Sequence, residues 1–124
     1  MSSRSKGRYA ELKVAKILSD YANLSFTQTP GSGSGKIKGD LHIIDHENVF
    51  TIEVKHYRDM AFNHKMFTQK TNNIVQWWNK LCKQAKEMKQ EPLLIFKENH
   101  SKQYVGTKRK PIHTKQYMYI AWLD

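Results

Sequence analysis

The chain has 124 residues, and its 21 lysines and arginines against 11 acidic residues give it a formal net charge of +10. This length suits a single domain, 1–124, with one modest core, and no apolar run approaches the roughly 20 residues that a transmembrane helix needs. The one cysteine, Cys82, excludes an internal disulfide and a multi-cysteine zinc site.

The positive charge favours a polyanionic partner, with nucleic acid ahead of an anionic membrane. Residue 2 is Ser rather than Gly and the chain ends in AWLD, so neither common lipidation motif is present. The opening MSSRSKGRYAE lacks the apolar centre of a secretory signal. We therefore expect a DNA partner, no membrane, and a cytoplasmic location, which is the host cytoplasm if the gene is viral.

The first predicted element is a helix over residues 7–20. Apolar residues recur in it at helical intervals, among them Ala10, Val14 and Leu18. Glu11 is the exception, because it lies three and seven residues before Val14 and Leu18. It either borders the buried stripe or, like an ordinary surface residue, pairs with a lysine one turn away.

Three predicted strands follow the helix. The first covers 24–29 and ends at Pro30, where a Gly/Ser-rich loop begins. The second and third cover 40–45 and 49–55, and the short turn between them, 46–48, predicts an antiparallel hairpin.

Two opposite charges lie in the third strand, within the stretch VFTIEVKHY. Side chains alternate across a strand, so Ile52 and Val54 face one way and Glu53 and Lys55 face the other. The apolar face is expected to pack on a helix. The charged face is either an ion pair exposed to solvent, the common case for such a pattern, or part of a site.

Asp40 favours the site, because it begins the preceding strand and a twist there brings its carboxylate beside Glu53. Two adjacent carboxylates are unfavourable unless a cation neutralises them, and oxygen ligands suit Mg²⁺ or Mn²⁺. Lys55 could then orient or deprotonate a water, or stabilise phosphate charge. Glu11 could add a third carboxylate that binds a second metal or positions a water.

The second half of the chain adds a helix and two strands. Residues 56–73 are polar, dotted with aromatics, and left unassigned. A strongly amphipathic helix is predicted over 74–89, an apolar interior strand over 92–97, a basic loop over 98–111, and a last strand over 117–123. Because layers of helix and sheet must cover one another, this order predicts an α/β fold with a mixed sheet flanked by helices.

The pattern of GD at 39–40, twelve residues, EVK at 53–55 and an upstream helical Glu resembles the PD-(D/E)XK nuclease superfamily. That resemblance covers about 7–97 and implies a restriction-endonuclease-like core, here in the order αβββαββ. With GRYAE and the Gly/Ser loop included, the sequence is most similar to the Holliday junction resolvases of archaea and phages. It departs from the motif where Gly39 replaces the leading Pro.

The resemblance implies a role for each matching residue. Glu11, Asp40 and Glu53 would form the acidic metal site, and Lys55 would be the catalytic lysine. The backbone carbonyl of Val54 would be a further metal ligand. The implied cofactor is Mg²⁺ or Mn²⁺.

The expected DNA contacts lie in three places. A serine of the Gly/Ser loop would contact the scissile phosphate, as in the archaeal enzymes, and lysines of that loop lie beside it. A glutamine of the second helix occupies the region where several branches of the superfamily place an active-site Gln. The KRK of the basic loop is either a solvated tail or a backbone-binding arm. The residues are Ser32, Ser34, Lys36, Lys38, Gln84, Lys108, Arg109 and Lys110.

Two other patterns are set aside. GSGSGK, 31–36, lacks the spacing of a phosphate-binding P-loop, and no helix is predicted after it. The six histidines are scattered without the paired spacing of a metal motif. Trp77 and Trp78 lie about 100° apart on one helix, so Trp78 is assigned to the core, and Trp77 to packing, a dimer contact or DNA.

These features together predict a metal-dependent, structure-specific DNA endonuclease, resembling a Holliday junction resolvase that acts on branched DNA in recombination or repair. Two symmetric cuts need two sites, so a homodimer is implied. Two alternatives remain. One is a small restriction-like or nicking nuclease of a phage or mobile element, and the other is a DNA-binding module without catalysis.

Overall fold

The computed structural model describes residues 3–30, 38–57, 73–98, 102–108 and 119–122. These residues form two helices and one six-stranded sheet. In chain order the elements are α1 (Ser3–Ala22), β1 (Phe26–Gln28), β2 (Leu41–Ile43), β3 (Phe50–Tyr57), α2 (Asn73–Glu87), β4 (Glu91–Glu98), β5 (Tyr104–Thr107) and β6 (Tyr119–Trp122).

The strands lie in the sheet in their chain order, from β1 to β6. Neighbouring strands are antiparallel except β3 and β4, which run parallel along their whole length. Parallel neighbours need a long crossover connection, and α2 lies within it. The sheet is therefore mixed, as the sequence predicted.

The first core cluster joins α1 to one face of the sheet. Ala10, Val14 and Ala15 on the helix are buried against Leu41, Ile52, Val54 and Ile95 on the strands. The predicted apolar face of the third strand thus packs on a helix. The apolar stripe that the sequence predicted for the first helix is buried, so that prediction is confirmed.

The second core cluster joins α2 to the opposite face. Ile74, Trp78 and Leu81 pack with Leu94 and Phe96. Because Ile95 belongs to the α1 cluster, successive residues of β4 are buried on alternate faces, as expected for an interior strand covered on both sides. The assignment of Trp78 to the core is confirmed.

The predicted basic loop over 98–111 is partly wrong, because β5 lies within it. Tyr104–Thr107 pairs with β4 on one side and β6 on the other. This strand has only four residues, and lysines and other polar residues surround it in the sequence. It is defined by its pairing with two other strands, which local composition does not reveal. The other differences are shifts of element ends, such as the earlier start of α1 and the extension of β3 to Tyr57.

No described helix is both long and apolar enough to cross a membrane.

Candidate active site

Asp40 is held at the edge of β3 by two backbone hydrogen bonds. Its own N–H donates to the carbonyl of Ile52 at 2.6 Å, and the N–H of Val54 donates to its Oδ2 at 2.8 Å. Antiparallel pairing of β2 with β3 begins one residue later, at Leu41 and Ile52. Beyond that pair, the Asp40 carboxylate accepts the hydrogen bond of the Val54 N–H, which a backbone carbonyl would accept in a continued β2–β3 ladder.

Gly39 makes this geometry possible. Its φ of +89° lies in the region that residues with side chains rarely adopt, and an added Cβ would lie 2.7 Å from the carbonyl oxygen of Ile52. Proline is fixed near a φ of about −65°, so it could not take this conformation. The departure from the superfamily's leading Pro thus has a local structural reason.

Glu53 lies beside Asp40, and the two carboxyl groups are close enough for a hydrogen bond when one of them is protonated. Burial, and then the negative charge of Asp40, raise the pKa of Glu53 from 4.5 to about 7, while Lys55 opposes the change. Burial also raises the pKa of Asp40, and the hydrogen bond from the Val54 N–H opposes it. Burial and the neighbouring Asp40 therefore favour the protonated form of Glu53, whereas Lys55 favours its ionised form.

Lys55 joins the pair from the same face of β3, as strand alternation predicted. Its Nζ lies 3.4 Å from Oε1 of Glu53. Neither side chain of this ion pair is fully exposed, since 24% of Lys55 and 21% of Glu53 remain accessible. The ion pair of the alternative interpretation is thus present, but it is half-buried rather than fully solvated.

The oxygen atoms at this point fit a hard divalent cation. Two carboxyl groups in contact are costly to ionise together, and a cation between them removes that cost. In a strand the N–H and C=O of one residue point toward the same neighbour, so the Val54 carbonyl lies at the edge of β3 that Asp40 occupies. Carboxylate and carbonyl oxygens are the ligands that Mg²⁺ and Mn²⁺ prefer.

Glu11 approaches the pair from α1 and is half-buried. Burial and the charge of Asp40 raise the pKa of Glu11, and a hydrogen bond from Gln28 opposes the change. Within the described ranges, no three acidic, histidine or cysteine side chains are close enough to hold one ion together. Asp40 and Glu53 thus form the pair, Glu11 lies next to it, and its part in the metal site stays a prediction.

Gln28 is a site residue that the sequence analysis missed. Its Nε2 donates to Oε2 of Glu11 at 3.0 Å and to the carbonyl of Arg8 at 3.3 Å. It faces Leu41 across the β1–β2 pair, which brings it next to Asp40. The register of that pair, which one sequence does not reveal, was the information needed to find it.

A pocket of about 240 Å³ opens over the carboxyl pair. The end of the loop and β3 form one wall, and α2 forms the other. Gln84 of α2 lines it, while its contact with DNA stays a prediction, and Lys80, which was not predicted, lines it as well. A signal for Lys80 existed, since it lies three residues after Trp77 and four before Gln84 on one helical face.

Trp77 is the aromatic residue of the pocket wall. Its ring centroid lies 5.5 Å from the Nζ of Lys55 and 5.1 Å from the ring of Tyr57, on which it stacks at 23°. Trp77 thus contacts the charged face of β3, and packing within this site is its observed role among the three considered.

The remaining predicted DNA contacts are only partly described. Lys38 is half-buried two residues before Asp40, and Lys108 is exposed directly after β5. The others lie outside the described residues and stay predictions: Ser32, Ser34, Lys36, Arg109 and Lys110.

Comparison with known proteins gives matches over most of the chain. Residues 2–121 match the family described as "phage putative PDDEXK endonuclease". Protein D14 of Escherichia phage T5 is 30% identical over 106 residues, which cover 80% of this chain and 66% of that protein. The chain therefore spans slightly less than two thirds of that relative's length.

A solved structure shares the fold. Hjc of Archaeoglobus fulgidus, a Holliday junction resolvase from an archaeal hyperthermophile, superposes with a TM-score of 0.51, covering 94% of this chain and 88% of that chain at 12% identity. The architecture is thus restriction-endonuclease-like, as the sequence predicted, and the low identity limits this likeness to the fold.

Proposed function

The chain belongs to the family of phage PD-(D/E)XK endonucleases, and from that premise we propose that it is a metal-dependent endodeoxyribonuclease that cuts branched DNA. The observation that supports this most is the contact between the Asp40 and Glu53 carboxyl groups with Lys55 beside them, at the base of an open pocket. The reaction is the addition of water across a phosphodiester bond.

Each residue of the site has a proposed part in hydrolysis. Asp40, Glu53 and the carbonyl of Val54 would hold Mg²⁺ or Mn²⁺. When bound, such an ion supplies Lewis acidity that neutralises phosphate charge and activates water. The ammonium of Lys55 donates to a phosphate oxygen as negative charge builds on it. Glu11, oriented by the amide of Gln28, positions a water next to the carboxyl pair.

The surface around the pocket suits a nucleic-acid strand. The chain has a net charge of +10, and Lys80 lines the pocket itself. Lysines that neutralise phosphates release counterions, so binding should be sensitive to salt. A carboxyl pair alone would repel DNA, and the proposed cation together with these lysines offsets that repulsion.

A branched substrate is proposed because the chain shares the fold of a resolvase. Resolving a four-way junction requires two symmetric cuts, whereas the described residues supply one carboxyl pair per chain. A homodimer with two-fold symmetry is therefore part of the proposal. Since the family is one of phage proteins, the proposed compartment is the cytoplasm of the infected host.

Two alternatives can be separated by experiment. A restriction-like or nicking nuclease of the same family would have the same site and a different DNA preference. A DNA-binding module without catalysis would gain nothing from two carboxyl groups beside its basic surface. Titration calorimetry with Mg²⁺ or Mn²⁺ distinguishes the binder, which should show no specific metal site.

The test of the substrate uses the purified protein with Mg²⁺ on four-way, flap and linear duplex DNA of the same sequence. The proposal expects paired, symmetric cuts in the four-way junction at a rate well above that on linear duplex. Equal cutting of linear duplex would favour the restriction-like alternative, and no cutting of any substrate with any divalent ion would contradict the nuclease itself.

A further inference from the structure

We propose that Trp77 is a positioning residue that keeps the ammonium group of Lys55 directed into the pocket when the charge of Glu53 is neutralised. The inference rests on the proposed function, because it names a residue that this catalysis needs. It starts from two contacts of Lys55, one with the Glu53 carboxyl group at 3.4 Å and one with the Trp77 ring at 5.5 Å.

These two contacts respond differently to a cation. A divalent ion on Asp40 and Glu53 takes up the negative charge that attracts Lys55, so the ion pair weakens at the stage when the lysine is needed. A free lysine side chain has several rotatable bonds and would lose its direction. The attraction between an ammonium and the face of an indole does not depend on Glu53, so it remains.

The ring itself is held in place. Tyr57 lies two residues after Lys55, on the same face of β3, and its ring stacks on Trp77. Stacked aromatic pairs are favourable beyond the area they bury. The Trp77 ring therefore contacts two successive side chains on one face of β3, those of Lys55 and Tyr57.

Trp77 lies at the border of the α2 core cluster, against which it packs without being buried in it. Trp78, the next residue, is buried at 6% accessibility in the α2 cluster, whereas Trp77 is half-buried and lines the pocket. The same substitution can therefore be made at both tryptophans. At Trp77 it perturbs the pocket wall, and at Trp78 it perturbs the buried core.

The direct test is the NMR signal of the Lys55 ε-methylene group, assigned by its absence in Lys55→Arg. The ring current of Trp77 should displace this signal upfield of the other lysines. The displacement should persist in Glu53→Gln, which removes the charge without a metal, and in the wild type with Mg²⁺. It should shrink in Trp77→Phe, disappear in Trp77→Leu and survive in Trp78→Leu, or in Trp78→Phe if the Leu variant does not fold.

Kinetics then show whether the contact matters. Trp77→Leu should lower kcat on the order of threefold to thirtyfold with KM changed less than about twofold, and Trp77→Phe should recover most of that loss. Trp78→Leu should lower the melting temperature more than Trp77→Leu does.

The failures are distinguishable. An undisplaced Lys55 signal in the wild type, or a displacement lost in Glu53→Gln, would overturn the inference whether or not DNA is cut. Unchanged kcat in Trp77→Leu would also overturn it and leave the nuclease intact. Absence of any cleavage by the wild type would contradict the proposed function. The NMR signal would still show whether Trp77 holds the Lys55 ammonium group in place.

Discussion

The carboxyl groups of Asp40 and Glu53 lie within hydrogen-bonding reach of each other although the two residues are thirteen positions apart, Asp40 directly before β2 and Glu53 within β3. Asp40 reaches this position because the Val54 N–H holds its Oδ2, and Glu53 reaches it through the alternation of β3. The contact is unfavourable for two ionised groups. A divalent cation that binds both carboxylates would remove their mutual repulsion, so the geometry of the site favours cation binding.

Stability without a divalent ion should depend on pH in a specific direction. The pKa of Glu53 is about 7 in the folded protein against 4.5 ordinarily, so the folded state holds the extra proton. This contribution is complete below pH of about 4.5 and is lost as pH rises through about 7. In EDTA, the free energy of unfolding from urea titrations should therefore fall by on the order of a few kcal/mol over that window.

Two controls belong to this pH experiment. Glu53→Gln has no proton to lose and should flatten the decline between those pH values. Mg²⁺ should stabilise the wild type more at pH 8 than at pH 5, because the ion binds the deprotonated pair. A decline equally steep in Glu53→Gln would assign the effect to other groups.

Gly39→Ala should displace Asp40 and remove activity. The new Cβ would lie 2.7 Å from the Ile52 carbonyl oxygen at a φ of +89°, so the backbone must move. We expect a lower melting temperature and a fall in cleavage rate on the order of a hundredfold, since small displacements of a catalytic group are costly. Melting curves and initial rates measure both effects.

Gly7→Ala is the matched control for Gly39→Ala. A Cβ at Gly7 meets nothing within 4 Å, and the residue lies inside α1. Alanine there should stabilise the helix by about 1 kcal/mol and leave cleavage unchanged. Equal activity in the two alanine variants would show that the conformation of Gly39 does not set the site.

Gln28→Leu should reduce cleavage roughly tenfold, because Glu11 loses the amide that orients it at 3.0 Å. The hydrogen bond from Gln28 lowers the pKa of Glu11, so its removal should raise that pKa further. Carboxyl ¹³C titration of Glu11 in metal-free protein measures this change. The neighbouring Thr27→Val is the control, since alternation turns residue 27 to the other face of β1. An unchanged Glu11 titration would show that the contact is not held in solution.

Lys80→Ala should weaken DNA binding and reduce its dependence on salt. Both lysines are exposed, but Lys80 lines the pocket and Lys86 lies six residues later, about 120° away around α2. Loss of one phosphate contact should lower the slope of log affinity against log salt by about one. Fluorescence anisotropy with catalytically inactive protein measures both variants. A larger effect of Lys86→Ala would place the DNA strand on another face of the helix.

Sequence alone could predict the features that depend on the repeat of side-chain positions along a strand or a helix. Alternation put Glu53 and Lys55 on one face, and helical spacing separated Trp77 from Trp78. Gln28 and β5 escaped because they are defined by strand register and by pairing with distant segments, which local composition does not record. The glycine at 39 was noticed as a departure from a motif, but its reason became visible only from its φ and its contact with Ile52.

The central claim is that Glu53, with Asp40, holds the ion on which cleavage depends. The most direct measurement is the rate of Mg²⁺-dependent cutting of a four-way DNA junction by the wild type, Glu53→Ala and Glu47→Ala, an exposed glutamate of the β2–β3 turn. The account predicts loss of cutting in Glu53→Ala and an unchanged rate in Glu47→Ala. Metal-dependent cutting that survives in Glu53→Ala would contradict it.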